Sequence, residues 1–99
     1  SKKVAPCNAC YYCKNSGGKC AIPDDMAEIL DKMQAADVIV MASPVYFYSI
    51  DAQMKIIIDR SLARWTNIPN KEFYFIMTWR NVSVISSLPK SPGDFTKFL

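Results

Sequence analysis

Apolar side chains recur at Met26, Ile29, Leu30 and Met33, the i, i+3, i+4, i+7 spacing of one helix face. Asp25 and Glu28 stand three apart at its start, as in a capping box, and Pro23 sits just outside. The pattern predicts a helix from about Asp25 to Ala36. Val38-Ile39-Val40-Met41-Ala42 follows as a continuous apolar run. Such a run predicts a strand buried on both faces, here ended by a Ser43-Pro44 break. An aromatic loop, Val45-Tyr46-Phe47-Tyr48, comes next. Ser49 is a candidate N-cap for a second helix, with Asp51 in the first turn, where the helix dipole favours an anion. Ile50, Met54, Ile57, Ile58 and Leu62 form its expected buried stripe, while Asp51, Lys55, Asp59 and Arg60 fall elsewhere. Asn67, Pro69 and Asn70 stop the helix. Phe73-Tyr74-Phe75-Ile76-Met77-Thr78 reads as a second buried strand and Val82-Ser83-Val84-Ile85-Ser86 as a third.

Helix, strand, helix and strand in this order predict an α/β sheet sandwiched by helices. Three zones result. Residues 1–22 form a cysteine-rich loop, residues 23–78 an αβαβ core, and residues 79–99 a strand with a Pro/Gly-containing tail. In α/β sheets ligands bind outside the carboxyl ends of the strands, and Ser43-Pro44 and Thr78-Trp79 lie at such ends.

Composition narrows the function classes. The chain has 99 residues, 51% of them apolar and 21% charged, which fits one small globular domain. Twelve basic and nine acidic residues leave +3, too weak a bias for a nucleic-acid footprint. No unbroken apolar run is long enough to span a membrane, and no signal-peptide pattern opens the sequence, so a cytoplasmic protein is expected. With no histidine, Ser-His and Cys-His hydrolase chemistry is excluded.

All four cysteines, Cys7, Cys10, Cys13 and Cys20, follow the spacing C-x2-C-x2-C-x6-C. Disulfides are rare in cytosolic α/β proteins, and zinc usually takes two cysteine pairs set further apart. Three cysteines at this spacing with a nearby fourth are closest to [4Fe–4S] ligation, and four reduced thiols in a structural loop are the bland alternative. Gly17-Gly18 gives the loop freedom to return Cys20 to the other three. Lys14 and Lys19 would offset part of the negative charge.

Several stretches then agree with one family. Pro6-Cys7 through Cys20, Asp24-Asp25-Met26, Ala36 through Val40, Ser43 through Ser49, Gln53-Met54-Lys55 and Asp59-Arg60 keep one order and spacing. Together, over residues 3–78, they resemble the NAD(P)H-dependent FMN reductases of the flavodoxin-like fold, and most of all the iron–sulfur flavoproteins. The resemblance implies a three-layer sandwich with a parallel sheet. It also implies FMN as cofactor, with Ser43, Pro44, Val45, Tyr46, Phe47 and Tyr48 along the isoalloxazine ring and Met77 and Thr78 near its edge. A [4Fe–4S] cluster on Cys7, Cys10, Cys13 and Cys20 is part of the same implication. So are NAD(P)H as electron donor, a quinone, flavin or iron–sulfur acceptor (small molecule or protein), and a homodimer or larger assembly, to which Trp65, Phe73 and Tyr74 would lend apolar surface. Two other functions stay open: an electron carrier without its own substrate, and a structural metal-binding module built on the four cysteines.

The tail bears a weaker likeness. Val82 through Lys90, with Gly93-Asp94 beyond, resembles the family's first strand and phosphate loop, which would place Ser86, Ser87 and Lys90 at the FMN phosphate. Leu88, Pro92, Asp94 and Phe95 depart from that pattern. The order is also reversed, and Trp79-Arg80-Asn81 is far too short for a parallel crossover, which needs a dozen or more residues. The stretch therefore forms an antiparallel hairpin with residues 73–78, or pairs with another molecule, or joins segments not consecutive in the natural chain. A five-stranded flavodoxin-like sheet needs roughly 125–150 residues. With three strands in view, an incomplete or rearranged domain is expected.

Overall fold

The computed structural model describes residues 1–68, 70–80 and 82–88. The elements in order are α1 (Tyr12–Asn15), α2 (Met26–Ala35), β1 (Val38–Tyr46), β2 (Ser49–Ile50), α3 (Ala52–Ser61), a 3-10 stretch (Leu62–Asn67), β3 (Glu72–Trp79) and β4 (Val82–Leu88). The sheet order is β2-β1-β3-β4. β1 and β3 run parallel from Val38↔Glu72 to Pro44↔Thr78 and are joined through α3, the β–α–β unit expected of this class. The α/β class is the one expected and the arrangement is consistent with a flavodoxin-like fold, but the sheet is mixed and not all-parallel, and among the described residues the helices form a layer on one face only.

Helix α2 buries Met26 and Leu30 almost fully, as its periodicity predicts. Its start differs from the expected capping box. Asp25 makes no side-chain cap; it accepts from the Lys3 backbone N–H at 2.6 Å, while Asp24 Oδ1 accepts from the Met26 N–H at 3.0 Å. Glu28 pairs instead with Lys2 and Lys32.

The core lies between α2, α3 and one sheet face. Ile39, Met41 and Phe73 form its centre, with Met33, Met54, Ile57, Ile58, Ile68 and Phe75 packed around them. Phe73 thus belongs to this core and not to an exposed subunit surface. On β1 burial alternates: Ile39, Met41 and Ser43 face the helices, and Val38, Val40 and Ala42 are exposed. The continuous apolar run is therefore covered on one face only among the described residues, and Val40 is 57% exposed.

Three further expectations are corrected. Ser43-Pro44 does not end β1, because Pro44 pairs with Thr78 and the strand continues to Tyr46. Ser49 does not cap α3 but pairs with Tyr46 in β2; the cap is Asp51, whose Oδ1 accepts from the Met54 N–H at 2.6 Å. Leu62 is exposed and Arg60 is buried, the reverse of the stripe read from the sequence: the helix tightens into a 3-10 turn after Ser61, and Arg60 is drawn inward by Asp24 and the Ala5 carbonyl.

Strand β4 is antiparallel to β3, from Phe73↔Leu88 to Trp79↔Val82. Of the three arrangements open for the tail, the structure adopts the hairpin. Lys90, Pro92, Asp94 and Phe95 lie outside the described residues.

Candidate functional site

The first cluster of interest sits at the carboxyl ends of β1 and β3. Val45↔Ile50 and Tyr46↔Ser49 pair across a two-residue turn, so Phe47 and Tyr48 occupy its two central positions. Both have positive φ, 49° and 64°. A tight hairpin turn of the type I′ class needs positive φ at both positions, which is why Asn-Gly is the usual occupant. Two aromatic residues there carry steric strain of about 1–2 kcal/mol each. Nothing in the core repays it: Phe47 is 95% exposed and Tyr48 89% exposed, touching each other edge-on with centroids 6.0 Å apart. Tyr46 and Trp79 are also exposed at this end, and Thr78 and Met77 pair with Pro44 and Ser43.

Ser43 has a different task. It is buried, and its Oγ accepts from the Asp51 N–H at 2.9 Å and donates to Pro44 O at 2.8 Å. Its hydroxyl thereby ties the strand end to the start of α3. Pro44, Val45 and Met77 are half-buried. Ser86 and Ser87 are not brought here. They pair with Phe75 and Tyr74, three and four residues down β3 from Thr78, which is about 10–13 Å away along the strand.

The second cluster is the cysteine segment. All four thiols are free, Cys7 and Cys10 exposed, Cys13 and Cys20 half-buried. The segment winds through left-handed residues, Ala9, Tyr11, Gly17 and Gly18, around the single turn α1. Gly18 N–H donates to Cys13 O at 3.1 Å and closes the turn after α1, but the loop does not bring Cys20 together with the other three cysteines as expected. A side chain at Gly18 would meet Ala63 O at 2.9 Å, so the glycine is required for close approach to the 3-10 stretch. Lys14 lies over the Tyr11 ring, 4.7 Å from its centroid.

Among the described residues no three Cys, Asp, Glu or His side chains converge as a metal-holding group. The donor chemistry still fits a cluster: four unoxidised sulfurs within one short segment, beside a buried cation. That cation is Arg60. It donates from Nη1 to Asp24 Oδ2 at 2.8 Å and from Nη2 to Asp24 Oδ1 at 2.9 Å, with a further Nη1 bond to Ala5 O at 2.7 Å. Hydrogen bonds from Arg60, with those from the Ala5 and Met26 amides, hold the Asp24 carboxyl well below the usual range against the cost of its burial. The sequence pattern placed Arg60 off the buried stripe. The signal that could have found it was the recurrence of Asp24 and Asp59-Arg60 among the family-like stretches, where a carboxylate and a cation recur outside any charged run.

Residues 2–83 match the family model described as NADPH-dependent FMN reductase, and the chain belongs to that family. It is 52% identical over 60 residues to an iron–sulfur flavoprotein of Methanocaldococcus jannaschii, covering 61% of this chain and 31% of that protein. With an iron–sulfur flavoprotein of Methanosarcina thermophila it shares 48% over 62 residues, 63% of this chain and 32% of the relative. One from Archaeoglobus fulgidus is 44% identical over 62 residues, again 63% of this chain and 31% of the relative. The chain thus spans about a third of the length of these relatives. No solved structure matches it.

Proposed function

We propose that this chain is part of an FMN-dependent oxidoreductase in which the turn Pro44–Tyr48, with Met77 and Thr78, contacts the flavin ring. The observation that carries the reading is the exposed aromatic pair Phe47-Tyr48 held at positive φ at the carboxyl end of β1. Strain at solvent-exposed aromatics has no packing reason and is expected where a flat ligand is to be met. When bound, FMN would supply the hydride and electron chemistry, with NAD(P)H as donor and a quinone, flavin or iron–sulfur acceptor, small molecule or protein. The residues of this chain orient it. Backbone groups of the turn would meet its polar edges, Ser43 fixes the strand end, and no side chain here is needed as an acid or base.

Cys7, Cys10, Cys13 and Cys20 are the ligands we assign to an iron–sulfur cluster, supported by the free thiols and by the names of the relatives. A homodimer is part of the same proposal, with the half-exposed Trp65 and the half-buried Tyr74 as apolar contributors. Titration of the chain with FMN tests the flavin site. Quenching of flavin fluorescence is expected, and its loss in Phe47→Asn, Tyr48→Gly. Undiminished binding by that double variant, or no binding by the parent chain, overturns the assignment.

A further inference from the structure

The flavin site leaves one buried charged side chain without a task. Arg60 is 2% exposed and reaches across from α3 to the cysteine segment. Its partner Ala5 lies two residues before Cys7, and its partner Asp24 lies four residues after Cys20. One guanidinium therefore holds both ends of the segment together and against the helix. Hydrogen bonding to Asp24 keeps the guanidinium charged against its burial, and the adjoining Cys20 side chain adds to this. Among the described residues, Arg60 Nε is the buried side-chain nitrogen or oxygen that has no hydrogen-bond partner. A buried donor without an acceptor is unfavourable unless something arrives to accept from it.

We propose that Arg60 is the positioning residue of the four-cysteine site: it fixes the two ends of the segment and sets a permanent positive charge, with a spare N–H, at Cys20. The proposal rests on the reading of the four cysteines as cluster ligands. Four thiolates make such a site anionic, and each electron added makes it more so. A fixed cation, and a spare N–H able to donate to sulfur, both favour the reduced state, so they raise the potential. Arginine suits the place because it stays charged when buried and occupies Asp24 with two arms while its third nitrogen is left over.

The test uses the full chain, reconstituted anaerobically with ferrous iron and sulfide, beside Arg60→Lys and Arg60→Gln. Far-UV circular dichroism checks the fold; iron and sulfide per chain and the cluster midpoint potential read the site. Arg60→Gln is expected to shift the one-electron equilibrium about tenfold toward the oxidised state, about 59 mV lower. Arg60→Lys, which keeps the charge but not the fork, is expected to retain less iron with a smaller shift. Folded variants with the parent's iron content and midpoint overturn the proposal. A parent chain that takes up no iron overturns the cluster reading and the proposal with it. Should both variants unfold, amide exchange in the parent decides. The Ala5 and Met26 amides, both bonded to Asp24, are expected to exchange as slowly as those of α3, and exchange at open-loop rates overturns the proposal.

Discussion

Asp24→Asn tests the internal ion pair most directly. The carboxylate accepts from both Arg60 arms and from the backbone N–H groups of Ala5 and Met26, so all its lone-pair directions are in use. Asparagine has one oxygen fewer. Whichever way it turns, an NH2 group meets two donors, and Arg60 is left charged and buried. Breaking such a pair costs about 3–5 kcal/mol, and the bond from Nη1 to Ala5 O that survives puts the expectation at the lower end, about 3 kcal/mol. A chain of this length has a total stability of about 5–15 kcal/mol, so the loss is a large share, equivalent to about 12–24 °C in melting temperature. Urea unfolding followed by far-UV circular dichroism measures it. The pH dependence gives a second handle. The folded carboxyl titrates well below its ordinary value of 3.8, so its contribution is complete above that value. It is lost as pH falls from there toward the folded pKa. The parent and variant should differ by the full amount at neutral pH and converge in acid. A difference under about 1 kcal/mol at neutral pH, or one unchanged from about pH 6 to pH 2, refutes the reasoning.

Other expectations follow from the same structure. Phe47→Asn, Tyr48→Gly relieves the strained turn and should raise unfolding stability by about 1–2 kcal/mol while weakening FMN binding, measured by denaturation and by flavin fluorescence. Gly18→Ala meets Ala63 O at 2.9 Å at a φ of +85° and should cost more than about 2 kcal/mol, whereas Gly17→Ala, with open space around it, should cost about 1 kcal/mol. Ile39→Ala, in the core, is expected to cost about 2–4 kcal/mol, and Val40→Thr, on the uncovered face, under about 0.5 kcal/mol, both read by urea midpoints.

The periodic stretches were legible because packing and pattern agree there. Met26 and Leu30 go inside as their spacing requires, and the run from Val38 finds its parallel partner in β3. The one-sided burial of that run was not legible: a strand's own composition does not say whether a second helix layer covers it. The N-cap of α3 was misplaced by two residues because Ser49 and Asp51 are both good caps, and the tertiary bond from the Asp51 N–H to Ser43 favours the later one. The cysteine spacing and the aromatic run were visible as chemistry. What could not be read was conformation, that Phe47 and Tyr48 would both turn left-handed, and a contact as distant as Arg60 with Ala5, 55 residues apart.

That last separation gives the molecule a timetable. During synthesis Cys20 and Asp24 leave the ribosome well before the arginine that will hold them, since Arg60 follows Asp24 by 36 residues. At about 5–20 residues per second the thiols wait about 2–7 s with neither their anchor nor their neighbouring charge. Oxidation or metal capture in that interval happens on an unanchored segment. Only once α3 has formed do Ala5 and Asp24 meet the guanidinium that joins the two ends of the segment.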